Sequence, residues 1–469
     1  MYRIRRGLDI KMTGSARQML EQHTPPTYYV CPPDFRWLKP KLLVNEGDSV
    51  EIGTPLFCRK EDERIVVVAP VEGTVRTIVR GEKRAIEAII IDRKDNSETS
   101  RPVDISETND VNSLKQMLLA NGLWPFLRQR PFSVIPCPDS QPKALFISCF
   151  DSSPLAPDYK ILLKGKKDEW EKGICILKQV IGPSPIHLCL RKGDDNTFFE
   201  STENVDIQYF KGPHPAGNVG TQIHRIAPID KGETVWYIHP QDVVTIGRFF
   251  LRKELSFEKT IALTGPKMEQ PGYISTIYGA DLSEILKNNN VVSHFSRRHR
   301  RHDATLRAEN IRYIAGNVLT GKQMTEFNAT HFYDSQVTAI AEGGEREIIG
   351  WLLPGLRKWS FSHTYLSWLY PSQFTPKENN SNFLIYNTSL NGGRRTFMMT
   401  DVYDKVFPFS IIPLSLLKAC LTQDIEQMEE LGIYEVDDED FALCEVVCPS
   451  KMECQQIIRD GLFLLYHNA

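Results

Sequence analysis

Between residues 144 and 252 short β-branched and apolar runs alternate with segments of helical period, and this alternation narrows the fold more than any other feature. Strand candidates fall at 144–150, 186–190, 205–210 and 234–238. Helical spacing of apolar residues is visible in DYKILLKGKKDEWEKGICILKQVI and in PQDVVTIGRFFLRKEL, where Pro240 suits a first helical turn. Strand–helix alternation of this kind predicts an α/β layer with a Rossmann-like, largely parallel sheet.

The flanking segments have other patterns, so the chain reads as multidomain α/β and β. In LVNEGDSVEIGTPLF (43–57) and IVVVAPVEGTVRTI (65–78), β runs are broken by Gly-Asp and Glu-Gly pairs, which predicts a small all-β unit with tight turns. The phrases Gly47-Asp48-x-Val50-x-x-Gly53 and Ala69-Pro70-x-x-Gly73-x-Val75 resemble the biotinyl/lipoyl-type β-sandwich. Carriers of that type hold their cofactor on a hairpin lysine; Lys60 lies between the phrases here without a carrier signature around it. After residue 255, two β runs lead to Asp281, a candidate N-cap with Glu284 three residues on, and a short helix stopped by Asn288, Asn289 and Asn290. A small sheet with one short helix fits a β-grasp (SLBB-like) module. The tail from Val406 has helical spacing in PLSLLKACLTQDIEQMEELGI and CQQIIRDGLFLLYH. The expected division is 1–100 for the N-terminal region with the sandwich, 101–254 for the Rossmann-like domain, 255–376 for the β-grasp domain with a basic insert at 291–307, and 377–469 for a C-terminal helical domain.

A chain of 469 residues exceeds one ordinary core, in keeping with roughly three or four domains. A net charge of −3 gives no electrostatic reason to invoke nucleic acid. No apolar run approaches the roughly 18–20 residues of a membrane span, and the basic start MYRIRRGLDIKM has no apolar region behind it, so neither a span nor a secretory signal is expected. Several of the ten cysteines sit in apolar runs, as Cys149 and Cys189 do, which suits buried free thiols in a reducing compartment rather than a disulfide framework.

Four stretches are candidates for chemistry. The loop KGPHPAGNVGTQIH (211–224) carries Gly212, Gly217 and Gly220, but it has neither the Gly-x4-Gly-Lys of a P-loop nor the full Gly-x-Gly-x-x-Gly of a dinucleotide fingerprint. It is expected to line an interface or pocket, with His214, Asn218 and His224 as its polar groups. The insert SHFSRRHRRHD (293–303) holds three histidines among four arginines, and that crowd of cations is poor design for a metal site; a solvated loop, or one touching anionic lipid or an acidic partner, fits better. In VCPPDFRWLKP (30–40), Phe35 and Trp37 between prolines suit a flat apolar ring, a partner surface or ordinary core packing. Finally, ALCEVVCPSKMEC ends like an iron–sulfur run, Cys-x2-Cys-x2-Cys-x3-Cys-Pro. Setting Cys444 and Cys448 as the third and fourth ligands puts Asp438 and Phe441 at the first and second, so the motif is degenerate and no cluster or other metal is expected.

RIRRGLDIKMTG, APVEGTVRTIVRGEKR, RPFSVIPCPDSQPKALFISCFDSSPLAPD, GPHPAGNVGTQIHRIAPIDKGETVWYIHPQDVVTIG and DEDFALCEVVCPSK together resemble the NqrA family of the Na+-translocating NADH:quinone oxidoreductases, over nearly the whole chain. That family is similar to the flavin- and NADH-binding subunit of respiratory complex I and to the C subunit of the Rnf complex. The resemblance implies a translocase subunit peripheral to the cytoplasmic face of a bacterial inner membrane, docked on integral-membrane and flavin-bearing subunits. Ubiquinone is the implied substrate, with flavins and the iron–sulfur centre on partner subunits and no cofactor on this chain. Quinone sites combine an apolar slot with donors to the carbonyl oxygens. Phe35 and Trp37 are the candidates for ring contact, Phe132 for closing the slot, and His214, Asn218 or His224 for donors; no catalytic residue is identified. The rival readings are a docking platform without a ligand, a carrier using Lys60, and a true cluster protein.

Overall fold

The computed structural model describes residues 1–105, 110–289, 311–324, 327–343, 365–366 and 387–468. The alternating region forms a six-stranded sheet in the order Tyr2–Arg3, Asp206–Lys211, Ile186–Arg191, Leu145–Ser148, Val235–Tyr237 and Arg128–Arg130. Its first five strands are parallel and the last is antiparallel. Numbered by chain position, the strands beginning at Leu145, Ile186, Asp206 and Val235 stand in space as 3-2-1-4, the Rossmann order. All four predicted strands are present with ends shifted by one or two residues. The first predicted helix is two, Tyr159–Leu162 and Lys167–Ile181, because Gly165 at φ +76 interrupts the turn between them. The longer one packs on Pro240–Arg252, and glycine makes their close crossing feasible: a Cβ on Gly247 would meet the Glu169 carbonyl oxygen at 1.7 Å.

The N-terminal unit is a sandwich of two antiparallel sheets. One contains Thr27–Val30, Ile86–Arg93, Gly73–Arg80 and Ser49–Val50, and the other Pro40–Leu42, Pro55–Arg59 and Asp62–Val68. Phe57, Ile65, Val75, Ile89 and Ile91 fill its interior. Lys60 is exposed at the turn joining Pro55–Arg59 to Asp62–Val68. A third sheet runs Gly272–Ile277, Glu258–Thr264, Gln336–Ala341, Ile311–Ala315, Lys322–Gln323. Its central pair is parallel, and helix Ser283–Asn288 packs Leu286 into the sheet's core, as in a β-grasp module. Asp281 does cap that helix, one residue earlier than a standard N-cap, by accepting the Ser283 N–H at 2.9 Å. The basic insert 291–307, with His294, His299 and His302, lies outside the described residues.

The C-terminal region consists of short helices around a core of its own. They are Val402–Val406, Pro413–Thr422, Ile425–Glu430, Ala442–Val447 and Cys454–Asn468. Trp37 from the N-terminal unit and Phe132 from the edge of the Rossmann-like sheet both pack against this core, so all three regions meet at one place.

Candidate functional site

Trp37 and Phe132 lie far apart in the sequence, yet their ring centroids are 6.1 Å apart. The last helix brings Tyr466 between them, 5.0 Å from Trp37 and 5.3 Å from Phe132. Phe463 closes on Trp37 at 5.7 Å, and Tyr434 meets Phe132 edge-on at 6.2 Å. The result is an aromatic cage of rings packed on one another, whose edge at Phe463 and His467 is exposed to solvent. Trp37 (φ +56), Phe132 (φ +81) and Ser133 (φ +53) all hold left-handed backbone. Bulky side chains rarely adopt that conformation, which costs on the order of 1–3 kcal/mol per residue and concentrates at functional sites.

Directly behind the cage lies a buried charge network. Arg36, whose guanidinium stacks on Trp37 at 4.7 Å, pairs with Asp437 at 2.5 Å and Asp438 at 3.3 Å. Arg130 pairs with Asp437 at 3.3 Å, Asp440 at 3.4 Å and Glu439. Ser133 donates to Asp437 and accepts from the Tyr237 hydroxyl at 2.9 Å. Burial alone would raise the Asp437 carboxyl, but Arg130 and then Arg36 hold it far below the usual carboxylate range. Asp440 goes the other way: burial pushes it up to about 8 against the pull of Arg130. Two nitrogens of Arg36, Nε and Nη2, are shielded from solvent without a hydrogen-bond partner among the described residues. Unsatisfied buried donors are rare, and these two belong to the guanidinium stacked on Trp37.

Of the residues singled out from the sequence, Trp37 and Phe132 come together and the others do not join them. Phe35 is 3% exposed and packs on Phe57, Phe332 and Tyr333, inside the core rather than on the cage. His214 is buried against Ser152, its Nδ1 at 3.0 Å from Oγ, and its backbone N–H donates to Asp9 at 2.9 Å. Asn218 stands at the N-cap of Val219–Ile226 and makes no side-chain cap bond. His224 reaches the C-terminal region, pairing with Glu435 at 2.5 Å and accepting the Ser410 N–H at 3.0 Å. Sequence reasoning missed Arg36, Tyr434, Phe463 and Tyr466. Only the long separation hid them, since Arg36 and Tyr466 belong to stretches already marked as aromatic or helical.

The degenerate cluster positions have acquired structural work. Asp438 is paired with Arg36 and with Arg459 at 2.6 Å, and Phe441 is fully buried against Phe407 at 4.7 Å. Cys444, Cys448 and Cys454 are buried free thiols. The Cys448 sulfur accepts the Met452 N–H at 3.3 Å and lies 3.0 Å from the Tyr403 hydroxyl. A hydrogen bond from the Cys454 thiol, helped by these donors, lowers the Cys448 thiol to about 5. Among the described residues no group of three or more His, Cys, Asp or Glu is placed to hold a metal ion, so the set does not fit a four-thiolate cluster. Nor does the glycine loop offer a phosphate cradle. Gly220, in the first turn of Val219–Ile226, carries no Cβ where one would lie 2.5–2.6 Å from the Asp440 carboxylate oxygens, so that side chain takes the helix end an anionic ligand would need.

Three family models match the chain: the NqrA N-terminal barrel-sandwich hybrid domain over residues 2–94, the NqrA second alpha/beta domain over 109–255, and the NQRA C-terminal domain over 260–298. A protein of Haemophilus influenzae (strain PittGG), named as the A subunit of Na(+)-translocating NADH-quinone reductase, is 35% identical over 468 residues, covering 98% of each chain. A protein of the same name from Yersinia pestis bv. Antiqua (strain Angola) is 33% identical over 473 residues, again covering 98% of each. Among solved structures, an NAD+-reducing [NiFe]-hydrogenase in the H2-reduced state aligns with a TM-score of 0.35 and 12% identity, over 77% of this chain and 62% of that one. With one-third identity sustained from end to end, and with the sandwich, α/β and β-grasp units in the family's order, the chain belongs to the NqrA family, the A subunits of the Na(+)-translocating NADH-quinone reductases.

Proposed function

We propose that this chain is the quinone-receiving subunit of a Na+-translocating NADH:quinone reductase, and that the aromatic cage holds the quinone ring. The observation that carries the reading is the convergence of Trp37, Phe132 and Tyr466 beside a guanidinium with two unpaired nitrogens. A quinone needs a flat apolar slot and a donor to a carbonyl oxygen. The three rings supply the apolar faces. Arg36, pinned by Asp437 and Asp438, supplies an N–H at the Trp37 ring. Tyr466, whose hydroxyl oxygen accepts from Arg59 at 2.9 Å, can donate to the second carbonyl. Electrons reach the ring from redox groups on partner subunits, and this chain contributes position and hydrogen bonds rather than a cofactor.

The same reading places the chain at the cytoplasmic face of the membrane, held there by integral-membrane partners. Among the described residues no helix is long and apolar enough to cross a membrane. The C-terminal region presents Met398, Met399, Ile412 and Leu421 to solvent, apolar side chains that suit partner docking. These residues also favour the second reading, a docking platform without a ligand. Trp37→Ala and Phe132→Ala separate the two. A quinone site predicts an assembled complex whose KM for quinone rises tenfold or more, at intact NADH oxidation by an artificial acceptor. A platform predicts loss of assembly with an unchanged KM in the complex that remains, and that outcome overturns the proposal.

A further inference from the structure

The Rossmann-like sheet has a second opening, away from the cage, at the carboxyl ends of its parallel strands. An open cavity of about 570 Å³ lies there, within the range of small-molecule sites. Its walls come from the last residues of Ile186–Arg191 and Asp206–Lys211, from residues just after these strands and after Leu145–Ser148, and from the N-terminal segment at Asp9. Ligands of open α/β sheets bind at this edge, because loops there leave the layer and free backbone and side chains for recognition.

The chemistry of the wall is specific in three ways. Arg191, Lys192 and Lys211 line it, and among the described residues none of them has a carboxylate partner. Arg191 instead lies over the Phe150 ring at 5.2 Å, and Lys192 over the Tyr209 ring at 4.9 Å. Aromatic support of this kind holds a cation in place without neutralising it. Facing them are Asp9 and Asp151, each with one oxygen engaged by backbone: Asp9 by the His214 N–H at 2.9 Å, and Asp151 by the Ser153 N–H at 2.7 Å. Their remaining oxygens can accept from hydroxyl groups. Ser153 lines the same cavity and is 8% exposed, and its hydroxyl, shielded from solvent, has no hydrogen-bond partner among the described residues. A buried hydroxyl without a partner is an exception that calls for a ligand or an ordered water.

We infer that this crevice binds a phosphorylated ribose, its phosphate on Arg191, Lys192 and Lys211 and its hydroxyls on Asp9 and Asp151, with Ser153 completing the site. Both signs of wall charge are then used, which a bare anion or a neutral sugar would not achieve. Side-chain cations hold the phosphate, which explains why no glycine-rich nucleotide motif announces the site. The inference is independent of the quinone reading, since the two openings share no lining residue.

The test is isothermal titration calorimetry on the full chain with ribose 5-phosphate, AMP and inorganic phosphate. Saturable binding of ribose 5-phosphate, at least threefold tighter than inorganic phosphate, is expected. AMP binding tighter still identifies a nucleotide as the source, and equal affinity identifies a sugar phosphate. Arg191→Gln and Lys211→Gln each weaken binding about tenfold or more, as loss of a charge-assisted hydrogen bond should. Ser153→Ala weakens it less, and Lys94→Gln, on the N-terminal sandwich, leaves it unchanged. Unaltered melting temperatures of the variants confirm that they fold. Absence of saturable binding up to about 10 mM, a range that would still register weak millimolar sites, overturns the inference. So does inorganic phosphate binding as tightly as ribose 5-phosphate, or an equal loss in Lys94→Gln.

Discussion

Replacing Arg130 with methionine removes the cation that serves three carboxylates while keeping most of the buried volume. Arg130 and Asp437 are each 3% exposed at the side chain and 3.3 Å apart. At an effective dielectric of about 20, that separation corresponds to roughly 5 kcal/mol of attraction before desolvation is counted. Removing one partner of such a pair costs about 3–5 kcal/mol, because the other is left buried and charged. Here the lower end applies. Arg36 remains 2.5 Å from Asp437, Asp440 is largely neutral at pH 7 with its carboxyl at about 8, and Glu439 is partly solvated. The expected loss is therefore about 3 kcal/mol, or roughly a 100-fold rise in local opening. Native-state hydrogen exchange on peptides covering 433–447 measures it without assuming that so large a chain unfolds in one step. The pH dependence follows from Asp437, whose folded-state carboxyl lies far below the unfolded value. Its stabilisation is present above the ordinary carboxylate range and lost as pH falls through the depressed value. Without Arg130 that depression shrinks but Arg36 keeps it in place, so the Asp437 part of the gap between wild type and Arg130→Met holds steady from pH 7 down to the ordinary carboxylate range and narrows only below it, through the variant's own value. Arg130→Lys keeps the charge but loses the fork, and is expected to cost about 1–2 kcal/mol. Exchange that changes less than about fivefold at pH 7 refutes the reasoning.

Other expectations are more compact. Gly220→Ala places a methyl 2.5–2.6 Å from the Asp440 carboxylate oxygens, so the acid must shift and exchange in both Val219–Ile226 and 437–441 should rise; unaltered exchange contradicts the assigned contact. Phe35→Ala empties a fully packed site and should cost about 3–5 kcal/mol of stability while leaving the quinone KM unchanged, whereas Trp37→Ala should do the reverse. Arg36→Gln keeps a donor but releases Asp437 and Asp438, and should raise the quinone KM with little change in kcat; wild-type kinetics in that variant would remove Arg36 from the site.

The sheet and helix content was legible because period and turn chemistry are local properties. Strand Asp206–Lys211 and helix Pro240–Arg252 can be placed from their own residues. The break at Gly165 was not foreseen, because an isolated glycine within a helical pattern is often tolerated. At the candidate site the sequence marked Trp37 and Phe132 but could not separate Trp37 from Phe35. Two residues apart in an irregular loop, they face opposite ways, one to the core and one to the cage. Of the donors expected at His214, Asn218 and His224, the first is engaged by Ser152 and the last by Glu435, while Asn218 stands at a helix start without a side-chain cap bond. Arg36 escaped notice because its partners, Asp437 and Asp438, come from the far end of the chain. The cluster run has Asp438 and Phe441 where two thiolates would stand, and only the structure connects Asp438 to the cage through Arg36.

The most direct measurement is photo-crosslinking of an azido-quinone to the assembled, NADH-reducible complex, with peptide mapping of the labelled sites. Label is expected in 30–40, in 131–138 and near Tyr466, competed away by excess quinone and lost in Trp37→Ala. Label confined to the other subunits, or label on this chain that excess quinone does not reduce, contradicts the quinone reading.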